Sequence, residues 1–124
     1  MKTKPEKFSW KKRLQSFQYA FNGLKMLIRE EHSARIHIVI AVCVLAAGLV
    51  FKISGSEWIA VALSIGMVIA LETVNSAIEN LADFVSPEKH AKIKKIKDLS
   101  AGAVLLGAMA AVAVGLIVFL PEIF

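Results

Sequence analysis

The sequence predicts an all-α integral membrane protein with three transmembrane helices and an N-terminal amphipathic surface helix. The chain of 124 residues is 56% hydrophobic, with a mean hydropathy of +0.62. That apolar share exceeds the roughly 45–50% typical of soluble domains. The apolar residues form three long runs, and the basic residues are distributed unevenly between them. The length suits one domain covering residues 1–124.

The predicted surface helix covers about residues 8–30. Its apolar residues recur at spacings of four, three, four, three and four, as Trp10, Leu14, Phe17, Phe21, Leu24 and Ile28. Basic residues such as Lys11, Lys12 and Arg13 cover the other faces. A basic amphipathic helix with aromatic anchors is typical of the membrane interface. Packing on a soluble core is the alternative.

The three predicted spans cover about residues 33–52, 57–83 and 98–120, each long enough for a bilayer of about 30 Å. Arg35 and Lys52 are placed to extend toward opposite interfaces from the first span, and Trp58 anchors the start of the second. Pro121 ends the third span. Small residues repeat every four positions along that span and favour close approach of another helix. They are Ala103, Gly107, Ala111 and Gly115.

The charge distribution predicts the topology. Eight Lys or Arg residues precede the first apolar run, namely Lys2, Lys4, Lys7, Lys11, Lys12, Arg13, Lys25 and Arg29. Five more lie between the second and third runs, and none follows Lys97. The positive-inside rule then places the N-terminus and the 83–97 loop in the cytoplasm and the C-terminus outside.

Polar residues on one face of the second span are the strongest functional signal. Glu72, Asn75, Glu79 and Asp83 fall within a sector of about 80° on a helical wheel. A carboxylate within a membrane helix is costly, at about 2.5–3.5 kcal/mol on insertion scales, and usually marks a functional site. Glu30 and Glu31 precede the first span, and Glu88, His90, Lys97 and Asp98 precede the third. Carboxylates at this depth suit Mg²⁺ with bound phosphates.

Several classes of protein fit these patterns less well. Walker A, kinase catalytic-loop, GxSxG and HExxH motifs are absent from the sequence, and Cys43 is the single cysteine. Beside three spans, the basic segments favour anionic lipid and phosphate partners over nucleic acid. A proton-coupled transporter would explain a membrane glutamate, and a small membrane adaptor would explain the spans. Neither class accounts for polar residues at all three places, namely on the second span, before the first span and before the third span.

The stretch from Glu72 to Asp83, ETVNSAIENLAD, closely resembles the signature of the prokaryotic diacylglycerol kinase family, which includes the undecaprenol kinases of Gram-positive bacteria. The resemblance extends through Lys97 and Asp98 and upstream to Gly23 and Glu31. It covers essentially Arg13 to the C-terminus. Ala82 stands where a branched apolar residue is expected, which concerns packing rather than chemistry.

The resemblance implies a homotrimer in the bacterial plasma membrane that uses ATP and Mg²⁺ to phosphorylate a lipid alcohol, with active sites shared between subunits. Glu72 is then the general base, and Glu31 and Glu79 are the Mg²⁺ ligands. Glu72 and Arg35 are expected to meet the lipid. The residues expected to contact ATP are Lys12 or Arg13, Tyr19, Glu31, Asn75, Glu79, Glu88, Lys89, His90, Lys97 and Asp98.

Two lipid alcohols are candidate substrates. The segment from Glu31 to His37 and the ending Phe119-Leu120-Pro121 resemble the Gram-positive branch, which favours undecaprenol as substrate. Diacylglycerol is the alternative, because a lipid tail is recognised mostly by the shape of a groove.

Overall fold

The structure, a computed structural model, describes residues 7–124 as four α-helices. They are α1 (Trp10–Glu30), α2 (His32–Phe51), α3 (Gly55–Val85) and α4 (Ala91–Ile123). Helices α2, α3 and α4 are long and apolar enough to cross a membrane. The predicted all-α fold with three membrane-spanning helices is therefore confirmed, and the chain is a multi-pass membrane protein. Lys2 and Lys4 of the predicted charge pattern lie outside the described residues.

Two of the membrane helices extend beyond the predicted spans. Helix α3 continues to Val85, and α4 begins at Ala91, seven residues before the start of the third predicted span. Helix α4 also continues through Pro121 to Ile123, so the prediction that Pro121 ends this helix was wrong. His90 starts α4 because its Nδ1 accepts a hydrogen bond from the backbone N–H of Lys92 at 3.1 Å. The grouping of residues 1–124 into one domain stays a prediction.

The turn between α2 and α3 is closed by local hydrogen bonds. Lys52 ends α2 in the left-handed conformation, with φ 52°. Ser54 then caps α3, since its hydroxyl accepts from the N–H of Glu57 at 3.3 Å and its own N–H donates to the Glu57 carboxylate at 3.0 Å. This reciprocal pair satisfies donors that a helix start otherwise leaves free.

The hydrophobic core lies at this end of the bundle. Ile53, Val61 and Val118 are buried together, and Trp58 packs against them. The α2 backbone passes close to the indole ring, because a Cβ built on Gly48 would lie 2.6 Å from Trp58 Cη2. Only a residue without a side chain fits between α2 and this ring.

Gly48→Ala is therefore expected to lower the free energy of unfolding by about 1–3 kcal/mol, the usual cost of overpacking a core. Thermal unfolding in detergent would measure the change. Gly66→Ala is the matched control, because a Cβ on Gly66 meets nothing within 4 Å and Ala favours a helix. Equal melting temperatures for the two variants would contradict the close approach at Trp58.

Helices α3 and α4 pack more extensively than any other pair among the described residues. Gly107 is buried in this contact, and a Cβ built there would lie 2.5 Å from Leu71 Cδ1. Gly115, on the same predicted small-residue face, has nothing within 4 Å of such a Cβ. Helix α3 therefore packs closely against the small-residue face at Gly107, whereas there is space for a side chain at Gly115.

Helix α1 contacts the bundle mainly near its C-terminal end. Leu27 is its one buried residue among those described, and it lies off the predicted apolar face. That face stays exposed, with Trp10, Phe17 and Phe21 between 65% and 75% accessible. The apolar face of α1 is therefore not used for packing within the chain.

Candidate active site

Glu72 is a buried carboxylate in the middle of α3, only 7% exposed. Its Oε1 lies 3.2 Å from Nε2 of His37 on α2. An ionised carboxylate has only acceptor atoms, so His37 Nε2–H is the donor. Burying a charge without a partner is strongly unfavourable. The contact with His37 therefore helps to make a carboxylate tolerable at this depth.

Glu31 lies at the break between α1 and α2. Its backbone is extended, with φ −111° and ψ 116°, which ends one helix and starts the next. Arg35 stabilises the break because its guanidinium donates to the carbonyl oxygens of Ile28, at 2.7 Å, and Arg29. The Glu31 carboxylate reaches α3, where Ser76 Oγ donates to Oε1 at 3.0 Å.

Asn75 connects the polar face of α3 to α4. Ser100 Oγ donates to Asn75 Oδ1 at 2.7 Å, and Asn75 Nδ2 lies 3.4 Å from Glu79 Oε1. An amide whose oxygen accepts from one side must turn its NH₂ group to the other. The hydroxyl of buried Ser100 thus fixes the amide orientation that lets Asn75 donate to Glu79.

The polar residues at the start of α4 pair in two different ways. Lys97 forms an ion pair with Asp83 at the end of α3, which joins the two helices. Asp98 pairs instead with Lys94 on the same helix. Both pairs are solvent-accessible, so each contributes little to stability and can be exchanged for a ligand.

The remaining predicted nucleotide residues lie in exposed positions. Glu88 and Lys89 occupy the short connection between α3 and α4, where the Glu88 carbonyl accepts from Ser86 Oγ at 3.1 Å. Tyr19 is 68% exposed on α1, and the Arg13 guanidinium lies 5.8 Å from the centre of the Phe8 ring. Within residues 7–124, no hydrogen bond or ion pair joins Arg13 or Tyr19 to the α3 carboxylates.

Lys12 lies beside Arg13 in the first turn of α1. Its backbone N–H donates to Ser9 Oγ at 3.4 Å, and its carbonyl accepts from Ser16 Oγ at 3.0 Å. These contacts hold the helix start and do not distinguish Lys12 from Arg13 as a phosphate contact.

An apolar groove of about 360 Å³ runs between α2, α3 and α4. One end is lined by His37, Ile69 and Ala108, and the other by Val61 and Phe119. His37 and Ser64 are the polar residues in its lining. Since His37 also contacts Glu72, the groove leads along the bundle to the buried carboxylate. A hydrocarbon chain lying in this groove can bring a polar head to Glu72.

Among the described residues, no group of three or more His, Cys, Asp and Glu side chains converges on a metal site. Two carboxylates suffice for Mg²⁺ when phosphates supply further oxygens. Glu31 bonds Ser76, which lies three residues before Glu79 on α3, so the chain offers one carboxylate at the α1–α2 break and another within one helical turn of its contact. The donor chemistry therefore fits Mg²⁺ bound to a nucleotide.

Three residues of the site were not predicted as site residues from the sequence. Ser76 lies about 40° from Glu72 on the helical wheel, so its position on the polar face was available as a signal. Ser100 follows Asp98 by two residues, but only the packing of α3 against α4 brings it to Asn75. Nothing in the spacing of His37 indicated contact with Glu72.

Comparison with known proteins gives a consistent result. Residues 18–119 match the model of a family described as prokaryotic diacylglycerol kinase. Undecaprenol kinase of Bacillus subtilis (strain 168) is 35% identical over 87% of this chain and 88% of its own length. Diacylglycerol kinase of Synechocystis sp. is 35% identical over 89% of this chain and 63% of its length. Diacylglycerol kinase of Helicobacter pylori (strain J99) is 31% identical over 86% and 83%.

The family match covers more than half of the chain, and both the Bacillus and Helicobacter relatives align over most of their own lengths. The resemblance seen in the sequence is thus confirmed, and the transporter and adaptor alternatives are set aside. A kinase of this kind takes ATP as its phosphoryl donor. The chain is a membrane lipid kinase that belongs to the prokaryotic diacylglycerol kinase family.

Proposed function

We propose that the protein transfers the γ-phosphoryl group of ATP to the hydroxyl of undecaprenol, with diacylglycerol as the alternative acceptor. The observation that carries this proposal is the buried Glu72 carboxylate, joined through His37 to an apolar groove between the spans. The groove accounts for a lipid acceptor. The buried carboxylate accounts for activation of its hydroxyl.

Glu72 takes the hydroxyl proton in this mechanism. The deprotonated oxygen attacks the γ-phosphorus of ATP, the bond to the β,γ-bridging oxygen breaks, and ADP leaves with that electron pair. General-base catalysis requires the carboxylate within hydrogen-bonding reach of the hydroxyl. The position of Glu72 beside His37, which lines the groove, supports that role.

Glu31 and Glu79 would hold Mg²⁺ with the ATP phosphates. When bound, Mg²⁺ neutralises phosphate charge during transfer. Glu79 lies seven residues after Glu72, which is about 10 Å along the helix axis. The separation leaves space for the transferring phosphoryl group between the base and the metal ligands. Asn75 lies between them and orients Glu79 through its amide.

The nucleotide is proposed to bind at the Glu79 end of the site. Lys97 would exchange its ion pair with Asp83 for a phosphate oxygen, and Asp98 would lie beside it. The other proposed contacts are Glu88, Lys89, His90, Tyr19, and Lys12 or Arg13. Arg13 suits phosphate better because guanidinium binds two oxygens at once. Arg35 is proposed to meet the lipid head group from its position at the α1–α2 break.

The distribution of charge supports one membrane orientation. The lysines in the first turns of α4 and the basic residues of α1 favour a cytoplasmic position for this end of the bundle, with Glu31 and Glu79, where ATP is available. The exposed apolar face of α1 supports a position in the membrane interface. We place the protein in the bacterial plasma membrane, with its C-terminus outside.

The assembly is proposed to be a homotrimer with shared sites. Within one chain, Tyr19 and Arg13 lie on the exposed part of α1, away from the contacts that α1 makes near Leu27. A neighbouring subunit that covered this part of α1 would bring its own α3 carboxylates to them.

The groove supports undecaprenol over diacylglycerol. Undecaprenol carries one long isoprenoid chain and no ester groups, whereas the ester carbonyls of diacylglycerol need hydrogen-bond donors. The groove offers aliphatic side chains along its length, with only His37 and Ser64 as polar residues in its lining. The match over 88% of the length of the Bacillus undecaprenol kinase agrees with this preference.

A radiolabelled ATP assay in mixed micelles, with undecaprenol and diacylglycerol in parallel, tests the proposal. We expect undecaprenyl phosphate to predominate and its formation to require Mg²⁺. Omitting the lipid is the control for ATP hydrolysis alone. Predominant phosphatidic acid would replace undecaprenol by diacylglycerol and leave the proposed residue roles intact. Label in neither lipid, from folded protein, would contradict both acceptors.

A further inference from the structure

His37 is the one strongly polar residue between Arg35 and Lys52 on the first membrane helix. It is half-buried, its Nε2 lies 3.2 Å from Glu72 Oε1, and it also lines the apolar groove. It therefore stands where the groove meets the buried carboxylate. The mechanism above gives it no role.

We propose that His37 is a positioning residue that holds Glu72 in the conformation needed to accept the lipid hydroxyl proton. This inference rests on the proposed function of Glu72 as general base. His37 acts through Glu72 and takes no proton from the substrate.

The geometry gives His37 two effects on Glu72. A glutamate side chain has several rotatable bonds, and a donor fixed on a second helix restricts them to one arrangement. Because Oε1 accepts from His37, Oε2 is the oxygen left for the hydroxyl. The hydrogen bond also stabilises the ionised carboxylate, which is the form that acts as a base, in an apolar setting.

A purely structural histidine would give a different pattern of kinetics. Loss of a packing contact changes stability and acts on every step that needs a folded protein. Loss of an orienting hydrogen bond acts on the chemical step, so it lowers kcat while the KM for Mg·ATP stays nearly constant. The split between kcat and KM therefore separates the two roles.

The test compares His37→Leu with His37→Gln in the micelle assay. Leu fills the position beside the groove but has no hydrogen-bond donor, so we expect kcat to fall about 10–100-fold, as for other orienting contacts. The amide nitrogen of Gln reaches a position similar to Nε2 and donates, so His37→Gln should regain most of the lost kcat. The KM for Mg·ATP should change little in both.

His32→Leu is the matched control, because His32 is an exposed histidine on the same helix. It should keep its kcat and its melting temperature. Full kcat in His37→Leu would overturn the inference. Equal losses in His37→Leu and His37→Gln, with lower melting temperatures, would show a packing role and also overturn it.

Glu72→Gln, measured alongside, separates this inference from the proposed function. An inactive Glu72→Gln with a fully active His37→Leu would leave Glu72 as the base and reject only the role of His37. A fully active Glu72→Gln would reject the base itself, and the role of His37 with it.

Discussion

Replacing Glu72 by Gln is expected to lower kcat by a factor of about 10²–10⁴, the usual contribution of a positioned general base. Gln matches Glu in shape but has no oxygen that can take up a proton at neutral pH. It can still bond His37, so the packing of α2 against α3 should survive. The KM for Mg·ATP should stay nearly constant, because Glu72 lies about 10 Å from Glu79 along α3. Initial rates with undecaprenol measure the change.

Glu57→Gln provides the matched control on the same helix. Glu57 lies at the far end of α3, and among residues 7–124 its hydrogen bonds outside the helix ladder are those of the cap with Ser54. Gln serves equally well in such a cap, so this variant should keep its activity. A rate for Glu72→Gln within a few-fold of the rate for Glu57→Gln would show that Glu72 is not the base.

The sequence was sufficient to predict the helices and the polar face of α3. Hydrophobic length alone indicates a membrane span, because only a helix satisfies its own backbone polar groups in lipid. The wheel position of Glu72, Asn75 and Glu79 follows from the helical repeat within one segment. Such features depend on residues near one another in the chain, and a sequence pattern can therefore reveal them.

The contacts between helices could not be predicted from the sequence patterns. The hydrogen bond between Ser76 and Glu31 joins residues 45 positions apart, and the one between Ser100 and Asn75 joins residues 25 positions apart. The rotation of each helix about its axis decides which side chains meet, and a nearly uniform apolar surface such as that of α2 leaves this rotation undetermined. His37 could therefore be placed on α2 but not against Glu72.

The docking of α1 shows the same limit. Its sequence has a clear apolar face, which predicts a position in the membrane interface and leaves packing on a protein core as the alternative. In the structure the buried residue is Leu27, which lies off that face, while the face itself stays exposed. In a membrane protein an apolar face can be covered by lipid, so periodicity does not distinguish packing on protein from contact with the bilayer.

Glu31→Gln and Glu79→Gln are each expected to raise the half-saturating Mg²⁺ concentration at least tenfold. Loss of a residue that merely hydrogen-bonds a metal ligand already costs about tenfold or more, and loss of the ligand itself should cost at least as much. Gln keeps one oxygen but loses the negative charge that a hard divalent cation favours. The kcat at saturating Mg²⁺ should also fall, because the phosphates lose part of their charge neutralisation. A Mg²⁺ titration at fixed ATP and undecaprenol measures both effects.

Glu30→Gln is the control that the chain itself offers. Glu30 precedes Glu31 but is exposed at the end of α1, and Glu31 alone of the two bonds Ser76 on α3. If any negative charge near the site were sufficient to bind Mg²⁺, both substitutions would raise the half-saturating Mg²⁺ concentration by similar amounts. If the contact across to α3 selects the ligand, Glu30→Gln should titrate as the unmodified protein does. Matching titrations for Glu30→Gln and Glu31→Gln would therefore contradict the assignment of Glu31, whatever the result at Glu79.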